Sequence, residues 1–215
     1  MKKYQKVIFD FDGVILNSHK IKTKLFYKIF SNYGKDVGKK ALKFHLTNLG
    51  LPRDKKFKII NKKFLNNKLT NIDLKKIEVY FSNSVKSKIY KLKLNKNLLN
   101  YLKKNYKKKK LYISTGTNQF EIQKICKELK ISKYFKSIYG SPKNKIYHIN
   151  KIKKSVKKVN FNENIVFVGD SNSDYKAAYS TKVDFICKSN SENINLLKKN
   201  KLTRVFTFKQ LCKKL

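Results

Sequence analysis

Cysteine is scarce in this chain: three residues in 215, Cys126, Cys187 and Cys212, an odd number with no C-x-x-C pair and no His/Cys cluster at zinc spacing. That excludes a disulfide framework and a structural zinc site, and sets the expected compartment as a reducing one, the cytoplasm. Long apolar runs are missing too. After Lys2 and Lys3 the first one, Val7 to Phe9, is cut off by Asp10, so no signal peptide is expected. No later segment approaches the roughly 20 apolar residues of a membrane span. Acidic residues are few, 13 against 53 lysines and arginines, and the formal charge of +40 points first to a polyanion. Yet the lysines are spread along the chain, in pairs on nearly every expected helix, without an RNA-binding aromatic motif, a zinc finger or a helix-turn-helix signature. Glycine (7), proline (2) and tryptophan (0) are rare where lysine, asparagine, isoleucine, tyrosine and phenylalanine abound, a bias that reads as codon preference for A and T. The charge is therefore read as background and no membrane partner is expected. Nucleic-acid binding on an inactive enzyme fold is kept as the alternative, and in either case a positive field favours anionic substrates.

What is present is enough apolar sequence, 40% of 215 residues, for one good-sized core with an appendage. The run Lys6 to Phe9 reads as a strand that ends at Asp10 and turns at Gly13. From Ser18 to about Leu94 the period becomes helical. Four apolar faces follow one another: Ile21, Leu25, Ile29 and Phe30; Leu42, Leu46 and Leu49; Phe57, Ile60, Phe64 and Leu65; Leu74, Ile77, Phe81, Val85 and Ile89. After Asn95 short strands alternate with amphipathic helices. The strands are Leu111–Thr115, Ser137–Gly140, Ile165–Asp170 and Asp184–Cys187, and the helices Leu98–Tyr106, Gln119–Leu129, Lys145 to about Val159 and Asp174 to about Ser180. Such alternation predicts an α/β domain around a parallel sheet. A lone strand cannot satisfy its backbone, so the first strand joins that sheet and the helical block is an insertion. The expected organisation is an α/β Rossmann-like core of residues 1–16 and 95–215 and a helical subdomain of residues 17–94.

In parallel sheets ligands bind beyond the carboxyl ends of the strands. Those ends carry DFDG (Asp10–Gly13), STGT (Ser114–Thr117), GSPKNK (Gly140–Lys145) and GDSNSD (Gly169–Asp174). Carboxylates gathered in one pocket cannot all stay ionised without a cation, so an oxygen-ligated hard metal such as Mg²⁺ is the natural partner. Asp10, Thr115 with Lys145, and Asp12 could supply a nucleophile, charge neutralisation and a proton to a phosphoryl transfer.

In this order and spacing the four segments resemble the haloacid dehalogenase superfamily, in the branch of phosphoglycolate phosphatase and beta-phosphoglucomutase. The resemblance implies that Asp10 is the nucleophile that becomes an aspartyl-phosphate. It implies that Asp12 is the general acid and base, with its backbone carbonyl on Mg²⁺. Thr115 would hold a phosphoryl oxygen with the Gly116 amide, Ser114 being the alternative register. Lys145 would be the lysine at a helix start, with Lys143 the alternative, and Ile146 stands where many relatives carry proline. Asp170 would ligate the metal with Asp174 in support, and residues 17–94 would be a cap. Asp12 favours phosphoryl transfer over dehalogenation, because a halide needs no proton. A phosphatase acting on a small phosphorylated metabolite is expected, with a phosphomutase as the alternative. Substrate choice would fall to the cap, where Arg53, one of two arginines beside Arg204, offers bidentate recognition of a carboxylate or phosphate. His19 and His45 are weaker candidates. The stretch around Arg53, LGLPRDKKF, also resembles phosphatase-like proteins that accompany polysaccharide and sugar-nucleotide biosynthesis, which implies a sugar phosphate as the substrate class.

Overall fold

A computed structural model describes residues 4–154, 164–189, 203–205 and 207–215. The chain divides into two compact units, Met1–Asn17 with Lys93–Leu215, and Ser18–Leu92.

The first unit is built on β1 (Lys6–Phe9), β2 (Lys110–Asn118), β3 (Ser137–Ser141), β4 (Ile165–Gly169), β5 (Asp184–Lys188) and β6 (Thr203–Val205). Among the described residues they form one parallel sheet in the order β3-β2-β1-β4-β5-β6. β1 lies between β2 and β4, which is why Val7, Ile8 and Phe9 read as a continuous apolar run: all three are fully buried. On one face Ile8, Tyr112 and Phe167 pack with Ile149 and Ile152 of α7 (Lys145–Lys154) and with Ala177 and Ala178 of α8 (Asn172–Ser180). Phe9 meets Tyr101 of α5 (Lys96–Asn105) and Phe135 edge-on, each at 6.4 Å between centroids. Lys6 is fully buried inside this unit and donates from Nζ to the Ile152 carbonyl at 3.2 Å. Helix starts follow their caps: Asn95 accepts from the amides of Asn97 and Leu98, and Asn118 from those of Phe120 and Glu121 at the start of α6 (Gln119–Glu128).

Several bounds differ from the sequence reading. β2 runs on to Asn118, and α8 opens at Asn172 because Ser171, not a later residue, is its cap. The expected part of α7 beyond Lys154 lies outside the described residues. Neither β6 nor α9 (Phe208–Lys214) was expected, although Thr207 and Gln210 form a capping box just before buried Leu211.

The second unit is α1 (His19–Ser31), α2 (Lys35–Thr47), α3 (Arg53–Phe64) and α4 (Asn71–Ile89), the last started by a Thr70–Asp73 capping box. Its core is a ring cluster in which Phe26 and Phe30 stack at 6.3 Å and Phe57 and Phe81 meet Phe26 edge-on at 5.4 and 5.2 Å. The face of α2 is not the expected Leu42, Leu46 and Leu49, which are half-buried; Gly38, Ala41 and His45 are buried instead. Small residues let α2 approach α1, where a Cβ on Gly38 would collide with the Ser31 hydroxyl oxygen and lie 3.1 Å from its Cα. The His45 ring lies flat on Phe26 at 4.0 Å, with its Nδ1 3.1 Å from the buried Lys56 Nζ. Among the described residues no helix is long and apolar enough to cross a membrane.

Candidate active site

The first functional segment follows directly from the end of β1. The Asp10 amide continues the ladder onto the Val168 carbonyl at 2.9 Å, so Asp10 is fixed by the sheet rather than by a loop. Beyond it the chain reverses in a tight turn: the Ile15 and Leu16 amides both donate to the Phe11 carbonyl, and the Gly13 amide to the Leu16 carbonyl at 2.8 Å. Gly13 sits at φ +79°, a left-handed conformation that glycine adopts at no steric cost. The turn is anchored by the buried side chains of Phe11, Val14, Ile15 and Leu16.

Asp10, Asp170 and Asp174 gather at the ends of β1 and β4, with one carboxylate oxygen of each within 4.8 Å of the other two. Asp10 Oδ1 accepts from the Phe11 amide at 2.7 Å and its Oδ2 lies 2.9 Å from Lys145 Nζ. The same ammonium donates to Asp174 Oδ1. Asp174 Oδ2 takes the Ser171 hydroxyl at 2.6 Å and the Ser171 amide at 3.0 Å, closing the capping box of α8. The approach is so close that a Cβ on Gly169 would collide with the Asp174 side chain, which explains the glycine of GDSNSD. Burial, then Asp174, pushes the Asp10 carboxyl well above the usual carboxylate range against the pull of Lys145. Burial draws Lys145 downward, but Asp10 and Asp174 outweigh it and hold the ammonium above its ordinary value. A buried cluster of three carboxylates with only oxygen donors fits a hard divalent cation, for which Asp10 and Asp170 offer ligands.

Asp12 stands on the turn, half-buried, where Thr117 Oγ1 donates to its Oδ2 at 3.2 Å. The pairing of β2 with β3 runs to Ser114↔Tyr139 and resumes only at Asn118↔Ser141, so Thr115, Gly116 and Thr117 bulge out of the ladder. The Gln119 side chain fills the gap, donating from Nε2 to the Ile138 carbonyl and accepting the Gly140 amide on Oε1 at 2.6 Å. Gly140 leaves room for the bulge, since a Cβ there would lie 2.5 Å from the Thr117 carbonyl oxygen. Thr115 is buried and its hydroxyl accepts the Thr117 amide at 3.2 Å. Ser114 points to the other face and its Oγ meets His148 Nδ1 of α7 at 2.9 Å. Lys143 is exposed, its Nζ 5.1 Å above the Tyr147 ring, and does not join the carboxylates. In the helical unit Arg53 donates to Ser82 Oγ at 2.8 Å with its guanidinium 4.9 Å from the Phe81 centroid.

Four residues near this cluster were given no role from the sequence: Thr117, although it closes the segment STGT, Gln119, His148 and Lys188. His148 had a signal, since it follows Lys145 by one helical turn and so shares its face. Lys188, at the end of β5, is half-buried; burial lowers its ammonium and nearby Asp170 raises it. Burial, then the Lys145 charge, lowers the His148 pKa from 6.5 to about 4, while a bond to the Gly140 backbone opposes. Between those values the unfolded chain binds a proton that the folded chain refuses, so this group's contribution falls as pH drops from 6.5 towards 4. At pH 5 the loss is about 2 kcal/mol relative to pH 7. In His148→Asn the loss of stability between pH 7 and pH 5, read by urea unfolding, should shrink by roughly that amount; an unchanged difference would show that His148 titrates freely.

The family model of haloacid dehalogenase-like hydrolases matches residues 7–188. Among solved structures, a predicted phosphoglycolate phosphatase from Haemophilus somnus superposes with a TM-score of 0.74 at 19% identity, covering 100% of this chain and 99% of that one. The HAD-hydrolase YfnB from Bacillus subtilis, bound to magnesium, gives 0.71 at 15% identity over 100% and 99%. CbbY from Rhodobacter sphaeroides, in complex with xylulose-1,5-bisphosphate, gives 0.71 at 13% identity over 97% and 96%. At these identities the likeness shows a shared fold. No curated protein sequence matches. The family match takes in the strand ends of Asp10, Thr115, Lys145 and Asp170 and most of the chain, which belongs to the haloacid dehalogenase-like hydrolases.

Proposed function

We propose that the chain is a Mg²⁺-dependent phosphatase of small phosphorylated metabolites, working through an aspartyl-phosphate on Asp10. The observation that carries this reading is the buried cluster of Asp10, Asp170 and Asp174, with Asp10 and Asp174 on one ammonium, at the end of a parallel sheet where ligands bind. An Asp10 oxygen attacks phosphorus and the bond to the leaving oxygen breaks. Asp12 gives that oxygen its proton, then takes one from the water that hydrolyses the aspartyl-phosphate and releases inorganic phosphate. Lys145 and the Thr115 hydroxyl, with the Gly116 amide, hold the phosphoryl oxygens while charge shifts between them. Thr117, bonded to the Asp12 carboxylate, keeps the proton carrier aimed at the leaving group. The cation, held by Asp10 and Asp170 with Asp174 in support and by the Asp12 carbonyl, would neutralise phosphoryl charge.

Substrate choice is assigned to the helical unit, 17–94 in the sequence reading, as a cap, with Arg53 as its reader of a carboxylate or second phosphate. The bisphosphate bound by CbbY makes sugar phosphates the first class to try. The test is a phosphate-release screen of an aryl phosphate and a panel of phosphorylated sugars and acids, with Mg²⁺ and with EDTA. Hydrolysis lost in EDTA is the expected result. A folded protein inert toward the whole panel would sink the reading, and a product that stays phosphorylated would turn it into a mutase.

A further inference from the structure

Lysines that look evenly spread in the sequence are not spread evenly in the fold. The longest lysine run, Lys107–Lys110, leads into β2, and the fold brings Lys133 and Lys136 from beyond α6 to the same cavity of about 520 Å³. The cavity opens at the start of β2, five residues or about 16 Å of strand from Thr115, so it is separate from the catalytic cluster. Lys107, Lys108, Lys110, Lys133 and Lys136 are exposed, whereas Lys109 turns its Nζ onto the Leu215 carbonyl oxygen. Among the described residues no carboxylate side chain lines the cavity. Ammonium groups gathered on one cavity raise the local positive potential, which favours an anion of several charges.

The cavity also carries an aromatic platform. Tyr106, 38% exposed, meets buried Tyr134 edge-on with centroids 5.4 Å apart, which fixes its ring. Lys107 Nζ lies 5.9 Å from the Tyr106 centroid and Lys133 Nζ 5.5 Å from that of Tyr134. An exposed, braced ring amid ammonium groups is the combination that binds single strands, with phosphates on the cations and a base on the ring. We propose that this cavity is a binding site for single-stranded nucleic acid. Lys107, Lys108, Lys110, Lys133 and Lys136 contact its phosphates and a base stacks on Tyr106. The site stands apart from the phosphoryl-transfer reading and does not depend on it.

The whole chain is basic, so the test must separate a site from a general field. The full chain is titrated against a labelled oligouridine of about 12 nucleotides at about 150 mM KCl, by fluorescence anisotropy and over a salt series. Replacing Lys107, Lys108, Lys133 and Lys136 together by glutamine should weaken binding at least about tenfold and lower the salt slope by roughly 3, at about 0.7 per lost phosphate contact. Replacing the exposed Lys39, Lys40, Lys43 and Lys55 of the helical unit instead should change it less than about threefold. Equal losses from the two sets would overturn the proposal in favour of a diffuse field. Tyr106→Ala should cost about tenfold on the oligonucleotide, and Tyr106→Phe should restore it. If Tyr106→Ala binds as wild type does, and inorganic polyphosphate competes as well as the oligonucleotide, the cavity reads phosphate alone and the assignment to nucleic acid falls. Both lysine sets should leave hydrolysis of an aryl phosphate unchanged.

Discussion

Asp10→Asn is expected to lower kcat for an aryl phosphate at least about a thousandfold, while its unfolding temperature in EDTA stays at or above that of the wild type. The two halves come from the same geometry. Asn is no nucleophile toward phosphorus, so chemistry stops. Yet Asp10 shares a buried cluster with Asp170 and Asp174, and burial and Asp174 already disfavour its charge. Losing one acceptor, either to the Phe11 amide or to Lys145, costs about 1 kcal/mol, and relief of repulsion among the carboxylates offsets it. The rise in unfolding temperature on adding Mg²⁺ should also shrink in the variant, because a ligand that binds the folded state less tightly stabilises it less. Thermal unfolding with and without Mg²⁺, beside a stopped assay of phosphate release, measures all three. A variant that still turns over would remove Asp10 from the nucleophile's role.

The parts of the site that could be read in advance are those dictated by strand and turn. Val7, Ile8 and Phe9 lead into an aspartate and then a glycine, and Ile165–Val168 lead into Gly169 and Asp170; a buried strand that ends beside a carboxylate and a glycine advertises itself. Thr117 and Gln119 could not be read, because their places depend on a bulge in β2 that a two-residue period does not encode. Lys188 escaped for another reason. Its neighbour Asp170 follows a different strand, and only the parallel register of β4 on β5, Gly169↔Cys187, sets the two residues beside each other.

In the fold, periodicity weighed volume where packing weighed contact. The apolar period ran through leucines at 42, 46 and 49, the last beyond the end of α2, and the helix buries Gly38, Ala41 and His45 because a close approach to α1 rewards small residues and a flat ring. Lys6 gave no sign of being core. Its stem packs inside the unit and its ammonium reaches the Ile152 carbonyl, a long-range bond that charge alone argues against. The gathering of lysines around the cavity beside Tyr106 was visible only in part: Lys107–Lys110 adjoin in the sequence, but Lys133 and Lys136 reach it only through the return of the chain from β2 through α6 to β3.

Replacing Lys145 by methionine should destabilise the metal-free chain by about 3–5 kcal/mol, or roughly 10 °C in Tm, because it strips two buried carboxylates of their shared cation. The methionine refills much of the volume, so the loss is electrostatic rather than a cavity. Lys145 Nζ sits 2.9 Å from Asp10 Oδ2 and bonds Asp174 Oδ1, and the side chain is only 7% exposed. A divalent cation would take over part of that neutralisation. Mg²⁺ should therefore raise the Tm of Lys145→Met more than it raises that of the wild type, a reversal of the Asp10→Asn result. Activity should not return with stability, since in the proposed mechanism the lysine's place beside the phosphoryl oxygens stays empty of charge. Lys143→Met is the matched control. Its ammonium is exposed over Tyr147, and its removal should change stability by no more than about 0.5 kcal/mol and leave turnover nearly as it was. Differential scanning fluorimetry across a Mg²⁺ series, run beside the phosphate-release assay, separates the two lysines. If Lys143→Met were the inactive variant and Lys145→Met the tolerated one, the catalytic lysine would lie in the loop before α7 and the buried ion pair would be structural alone.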